Sequence, residues 1–153
     1  MKNIEIPTQF NEVRVSYKSS NYTKESKKIN ASSDIYNLLK EFFSEDIDHH
    51  EFFILIGLNR ANKITLVKKI SEGGISGTVA DPKIIFQYAL LTNCSNIILA
   101  HNHPSGSIQP SNSDISLTKK LKEAGGLLDI QVLDHLIITA DNYFSFADEG
   151  LIN

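Results

Sequence analysis

An uninterrupted apolar run near the middle of the chain constrains the fold more than any other stretch. Residues 51–58 read Glu-Phe-Phe-Ile-Leu-Ile-Gly-Leu, so that after the initial acid no polar side chain interrupts the run. A strand with one face in water alternates apolar and polar residues, whereas a continuous run predicts a strand that is buried on both faces. Such a strand needs covering layers on both sides of its sheet, which favours an α/β architecture over a helical bundle or a β-sandwich.

Helical and strand patterns alternate along the rest of the chain, which predicts one mixed α/β domain around a central sheet. Three helices are expected. The first begins at N-cap candidates within residues 32–34 and ends within 44–48, and the second begins at 81–82. The third runs from Asp114 to the pair Gly125-Gly126. Further strands are expected at 12–17, 64–70, 96–100, 130–139 and 143–146, with a glycine-rich loop at 72–78. Residues 1–31 are thus predicted to be an N-terminal strand with a polar arm, and residues 32–153 the domain.

Charge and cysteine content narrow the classes of function. The net charge is −3, which argues against a broad electrostatic grip on the phosphate backbone of DNA. No apolar run approaches the roughly 18–20 residues that a membrane span requires. Cys94 is the single cysteine, so an internal disulfide and a cysteine-based zinc knuckle are excluded. We interpret Cys94 as an inert core thiol and expect a reducing, cytoplasmic setting without membrane partners.

Two histidines follow the short apolar run at residues 96–100. Residues two apart on a strand project from the same face, so His101 and His103 can bind one ion while Asn102 points away. Asp114 is expected in the first turn of the next helix, which the intervening loop can fold back over the strand end. Catalytic zinc takes three ligands from His, Asp or Glu and leaves a fourth position for water. The candidate zinc ligands are therefore His101, His103 and Asp114.

The residues around these ligands allow two interpretations. Ser111 and Asp114 also fit a helix capping box, which needs no metal, although the paired histidines upstream favour a metal site. Besides capping, the Ser111 hydroxyl could stabilise the oxyanion that forms when a carbonyl is attacked. His135 is an isolated histidine in a predicted strand. Such residues are usually structural, and a position lining the site is the less favoured hypothesis for it.

A hydrolytic site also needs a group that takes a proton from water and passes it to the leaving atom. The candidates are Glu51, Glu72 and Glu123. Glu51 begins the most buried strand, where a carboxylate is costly to desolvate without a partner. Glu72 is expected in a loop, and Glu123 on a lysine-rich helix face. We therefore favour Glu51, against the alternative that it is only a charge at a strand end.

The spacing of these residues resembles the signature of the JAMM (JAB/MPN-domain) metalloenzymes. The pattern is His101-x-His103, seven residues, then Ser111-x-x-Asp114. The sequence Ala-His-Asn-His-Pro-Ser-Gly at residues 100–106, with the later Pro-Ser at 110–111, is similar to the RadC branch of that superfamily, and the similarity extends from about residue 32 to 151. The resemblance implies a mixed sheet flanked by helices with a cytidine-deaminase-like topology. It further implies a catalytic role for Glu51 and an oxyanion-stabilising role for Ser111.

Two departures from the family pattern bear on function. Many JAMM enzymes have Ser or Thr where this chain has Asn102, which agrees with the RadC branch instead. RadC proteins usually carry an N-terminal helix-hairpin-helix region associated with DNA, and residues 1–31 do not resemble it.

We expect a zinc-dependent hydrolase that uses zinc-activated water to cleave an amide in a protein or peptide-like substrate. One alternative is a DNA-associated, RadC-like accessory protein in which the zinc is structural and lysines near Lys119 contact phosphate. Another is a noncatalytic scaffold, which the retained metal ligands disfavour.

Overall fold

Three helices and a five-stranded sheet form the part of the chain that the computed structural model describes, namely residues 16, 27–73 and 79–152. The predicted strand at 12–17 and its following arm lie outside these residues apart from Ser16, which is exposed, and so does most of the glycine-rich loop. In chain order, the elements are α1 (Ser32–Phe43), β1 (Phe52–Leu58), β2 (Ile64–Glu72), α2 (Pro82–Leu91), β3 (Asn96–Asn102), α3 (Asn112–Leu127), β4 (Gln131–Ile138) and β5 (Tyr143–Ser145).

The sheet is mixed, with the strand order β2-β1-β3-β4-β5. β3 and β4 are parallel, and every other neighbouring pair is antiparallel. A parallel pair needs a crossover, and α3 supplies it between β3 and β4. The prediction of one mixed α/β domain with at least one hairpin is therefore confirmed. In this topology, β1 and β3 lie side by side inside the sheet, with Phe53 paired to His101.

Helices cover both faces of the sheet, as the run at residues 51–58 predicts. Every residue of β1 is buried. Burying a Leu, Ile or Phe side chain fully contributes about 1.5–3 kcal/mol, so these two layers account for much of the fold's stability. The α1 face contains Ile35, Leu39, Ile54, Ile56 and Ile98, and the face covered by α2 and α3 contains Leu55, Ile85, Leu99 and Leu121.

The first helix begins one residue earlier than its capping candidates suggest. Ala31 occupies the N-cap, and Ser32 is already helical. The capping function comes from Asp34, whose carboxylate accepts hydrogen bonds from the backbone N–H groups of Asn30 (2.9 Å) and Ala31 (3.2 Å). These bonds lower the pKa of Asp34, because they stabilise its ionised form.

The glycine pair Gly125-Gly126, which the sequence predicts to end α3, lies inside the helix, which continues to Leu127. A β-carbon added at Gly125 would lie 2.3 Å from the carbonyl oxygen of Ile130, whereas one added at Gly126 would meet nothing within 4 Å. Gly125 is therefore required by a close approach of two backbone segments and not by the helix end. Local sequence patterns do not reveal this approach.

The second strand is two residues longer than expected and ends at Glu72. Glu72 pairs with Phe52 across the first two strands, so the prediction that Glu72 lies in a loop is wrong. At the opposite end of this hairpin, Ile29 is buried and its backbone N–H donates to the carbonyl of Asn62 at 2.9 Å.

Candidate metal centre

The end of β3 brings two histidines to the same face of the sheet. His101 is 4% exposed and lies between Phe53 of β1 and Ile137 of β4. His103 follows the strand, and its backbone N–H donates to the carbonyl of Ile138 at 3.0 Å, which continues the strand alignment. The two Nε2 atoms are 3.1 Å apart. The period-two alternation of a strand therefore produces the convergence that the sequence predicts.

A tight turn fixes the ring of His103. Gly106 has a φ of +80°, a backbone conformation that favours glycine, and its N–H donates to the carbonyl of His103 at 3.0 Å. The turn brings the carbonyl oxygen of Ser107 to 2.7 Å from Nδ1 of His103. A carbonyl can only accept, so Nδ1 carries the hydrogen and, in the neutral ring, Nε2 keeps a free lone pair.

Asp114 completes the group from the first turn of α3. Its Oδ1 lies 3.4 Å from Nε2 of His101. Its Oδ2 accepts from the backbone N–H and the hydroxyl of Ser111, each at 2.7 Å, while the Ser111 oxygen accepts from the Asp114 N–H at 3.1 Å. The capping box and the metal-facing geometry, which the sequence poses as alternatives, thus coexist because each uses a different carboxylate oxygen.

Electrostatics keep Asp114 ionised. Burial opposes its charged form, but the interaction with the His101 ring, whose Nε2 is 3.4 Å away, together with the hydrogen bonds from Ser111, outweighs this effect. They hold the pKa of Asp114 well below its usual range. A carboxylate that is charged at neutral pH, beside nitrogen lone pairs, is what a divalent cation requires of its ligands.

The three side chains form a group that could hold a metal ion. The ligand atoms of His101, His103 and Asp114 all lie within 4.8 Å of one another. The group thus offers imidazole nitrogens from two histidines and a carboxylate oxygen from Asp114 at close range. A cation satisfies such a set, and two histidines with one carboxylate match the ligand chemistry of zinc sites that keep a position open.

His135 lies directly behind His101, where the sequence favoured a purely structural residue. Its Nε2 is 2.8 Å from Nδ1 of His101, and its Nδ1 is 2.6 Å from the hydroxyl of Thr118. Burial lowers the pKa of His135 well below its usual value, so the ring is neutral. Sequence reasoning missed Thr118, although its position four residues after Asp114 puts both on one helix face.

Asn102 points away from the histidines, as the alternation predicts, and is fully buried. Its amide oxygen accepts from the backbone N–H of Phe52 at 2.7 Å. Its amide nitrogen donates to the carbonyls of Ile47 at 2.7 Å and His50 at 2.8 Å. One side chain thereby binds the backbone on both sides of Glu51.

Glu51 immediately precedes β1 and is partly buried. Glu51 lies two residues before Phe53, the β1 residue that pairs with His101. Its backbone carbonyl accepts from the N–H of Gly73 at 2.8 Å, which fixes this segment against the end of β2. The Glu51 carboxylate is not a member of the three-residue group, and its catalytic role stays a prediction.

The other two candidate bases have different surroundings. Glu72 is hydrogen-bonded to the imidazole of His50, and its carboxylate is 3.4 Å from Nζ of Lys69. The hydrogen bond from His50, followed by that from Lys69, lowers the pKa of Glu72. Glu123 is exposed on α3. Glu72 is thus engaged by two partners, and Glu123 faces water.

The fold and the candidate site define the chain as a mixed α/β domain with a candidate His-His-Asp metal centre at the end of a central strand. Comparison with known proteins identifies its family. A family model described as "RadC-like JAB domain" matches residues 29–151. The chain belongs to this family.

Similar proteins occur in several bacteria under the name UPF0758 protein. The one from Flavobacterium johnsoniae is 44% identical over 125 residues, which cover 82% of this chain and 54% of that protein. The one from Porphyromonas gingivalis is 47% identical over 111 residues, covering 72% of this chain and 48% of that protein. The Salinibacter ruber protein is 41% identical over 121 residues, covering 79% and 50%. The chain thus spans about half the length of these curated relatives.

Two further findings concern Cys94 and the length of the helices. Cys94 is buried and free, as predicted for a core thiol. Among the described residues, no helix combines the length and apolarity that crossing a membrane would need.

Proposed function

We propose that the chain is a zinc-dependent hydrolase of the JAMM type that cleaves a peptide or isopeptide amide. The observation that carries the proposal is the convergence of His101, His103 and Asp114 within 4.8 Å. Their donor set suits zinc with an open coordination position. Bound there, zinc would lower the pKa of a water molecule to about 7 and polarise the scissile carbonyl.

Glu51 is the general base in this proposal. Its carboxylate accepts a proton from the attacking water and later delivers it to the nitrogen of the leaving amine, so that the proton is conserved through the cycle. The position of Glu51 two residues before Phe53, which pairs with His101, and the backbone bonds from Asn102 on both sides of Glu51 support this role. Glu72 is a weaker candidate because His50 and Lys69 already engage its carboxylate.

Ser111 is the oxyanion donor in this proposal. It is exposed at the start of α3, next to the ligand Asp114. Its hydroxyl hydrogen is donated to Asp114, so the hydroxyl must rotate away from this bond to reach the substrate oxygen. The cap survives that rotation in part, because the backbone N–H of Ser111 also donates to Asp114.

A substrate screen tests the proposed activity. The zinc-loaded chain is incubated with a library of amide and isopeptide substrates, and Glu51→Gln, which preserves the size of the side chain, serves as the control. We expect cleavage of at least one substrate class by the wild type and cleavage at least about 10²-fold slower by the variant. Equal cleavage by both proteins would remove Glu51 from its role.

We propose a cytoplasmic setting, which the free and buried state of Cys94 supports.

A DNA-associated accessory role is the second candidate. The exposed positions of Lys119, Lys120 and Lys122 on α3 favour it, and the net charge of −3 opposes it. Contacts with phosphate weaken steeply as salt rises from about 50 to 200 mM. A binding assay with duplex DNA across that range separates the two candidates. We expect negligible binding, whereas tight binding with a steep salt dependence would favour the accessory role.

A further inference from the structure

Thr118 and His135 form a hydrogen-bonded chain behind His101, on the side of the ring away from the metal-facing nitrogen. The Thr118 hydroxyl is 2.6 Å from the carbonyl oxygen of Asp114 and 2.6 Å from Nδ1 of His135. Nε2 of His135 is 2.8 Å from Nδ1 of His101. His135 is 0% exposed and Thr118 3%, so water does not compete for these bonds.

The hydrogens in this chain can point in only one direction. The Thr118 hydroxyl has a single hydrogen, which it donates to the carbonyl oxygen of Asp114, because a carbonyl can only accept. Its oxygen must then accept the hydrogen on Nδ1 of His135. The His135 ring is fully buried between Phe53 and Phe146, surroundings that favour a ring with a single N–H. Its Nε2 is then an acceptor, and Nδ1 of His101 donates to it. His101 therefore keeps its hydrogen on Nδ1 and leaves Nε2 bare.

We propose that Thr118 and His135 are positioning residues that hold His101 in its metal-binding tautomer. This inference rests on the proposed metal centre. Because the carbonyl of Ser107 fixes His103 in the same tautomer, both Nε2 atoms present lone pairs, and they lie 3.1 Å apart. Two facing lone pairs repel each other unless a cation lies between them. The relay thus prepares the pair for a metal ion before any ion arrives.

A simpler explanation is that His135 only fills space in the core. Its ring stacks on Phe146 with 4.9 Å between centroids and meets Phe53 edge-on at 5.5 Å. A packing role predicts that phenylalanine can replace His135 without consequence for the metal centre. A positioning role predicts that the hydroxyl of Thr118 matters, even though it does not touch the three ligand atoms of the group.

The tautomer can be read in the metal-free protein by nitrogen-15 NMR of the imidazole rings at mildly alkaline pH. We expect His101 in the wild type to carry hydrogen on Nδ1. In Thr118→Val, Nδ1 of His135 loses the hydroxyl that accepts its hydrogen, so the hydrogen of His135 moves to Nε2 of the same ring. Nδ1 of His101 must then accept that hydrogen, so the hydrogen of His101 moves to Nε2 of His101. Thr118→Ser, which keeps the hydroxyl, should match the wild type. A wild-type His101 with hydrogen on Nε2 would overturn the proposal.

Zinc affinity, measured on the full chain by competition with a chelator, gives a second readout. Outer partners of metal-binding histidines typically contribute 10–100-fold in affinity, so we expect about tenfold weaker binding for Thr118→Val and less than ~3-fold for Thr118→Ser. His135→Phe should also weaken binding, while His135→Gln, whose amide can accept from His101, should retain more of it. Thermal unfolding of the metal-free variants identifies any general loss of structure.

The two proposals fail in different ways. Equal zinc affinity of the Thr118→Val and Thr118→Ser proteins would overturn the positioning role, even if the wild type binds zinc tightly. A wild type that binds no zinc would overturn the metal centre, while the tautomer of His101 would still decide whether the relay exists.

Discussion

Replacing Asn102 by alanine should destabilise the fold strongly, because one buried amide serves three backbone groups. These are the N–H of Phe52 and the carbonyls of Ile47 and His50, at 2.7, 2.7 and 2.8 Å. Asn102 is 0% exposed, so water cannot easily take its place. An unsatisfied buried polar group costs about 1–3 kcal/mol, and because the bond to His50 is only partly buried, we expect a total loss of about 3–5 kcal/mol in the free energy of unfolding.

Urea unfolding followed by circular dichroism measures this loss. Asn112→Ala is the matched control, because Asn112 is exposed at the first position of α3 and should change the free energy of unfolding by less than about 0.5 kcal/mol. A loss below about 1 kcal/mol for Asn102→Ala, with an unchanged dependence on urea, would refute the reasoning. It would mean that the backbone around Glu51 finds other partners without the amide.

Three further predictions follow from the fold and the proposed mechanism. Gly125→Ala should cost about 1–3 kcal/mol in urea unfolding, because its β-carbon would meet the Ile130 carbonyl. Gly126→Ala should gain about 0.5–1 kcal/mol, and equal effects at both positions would contradict the packing argument. Glu51→Gln should keep its zinc, as metal analysis would show, and lose about 10²–10⁴-fold in hydrolysis. Ser111→Ala should lose about 0.5–2 kcal/mol of stability through its cap and about 10²–10³-fold in kcat. A full rate in Ser111→Ala would leave Ser111 with the cap alone.

The parts of the site that follow from local sequence are those on single elements. His101 and His103 share a strand face through alternation, and Asp114 lies in the first turn of a helix whose N-cap is Ser111. The buried run at residues 51–58 likewise predicts the covered sheet, because its pattern is decided residue by residue. None of these inferences requires knowledge of which strand lies next to which.

The parts that the sequence does not reveal depend on strand order and register. His135 reaches His101 because β4 is the parallel neighbour of β3, and a single histidine in an apolar strand does not indicate its neighbour. The same holds for Asn102, whose partners lie about fifty residues earlier in the chain. The sequence predicts a loop at Glu72, but the pairing of Glu72 with Phe52 extends the strand. A polar residue inside a buried strand is the signal that could have directed attention to both His135 and Asn102.

Zinc content of the purified chain is the most direct test of the proposed centre. The wild type, purified at neutral pH without chelators, should contain a single zinc ion per chain by elemental analysis. His103→Ala and Asp114→Ala should lose it while retaining the circular dichroism of the wild type. His49→Ala, which removes an exposed histidine outside the metal-binding group, should keep it. A wild type without zinc, or a His103→Ala protein that retains zinc as tightly as the wild type, would contradict the proposed function.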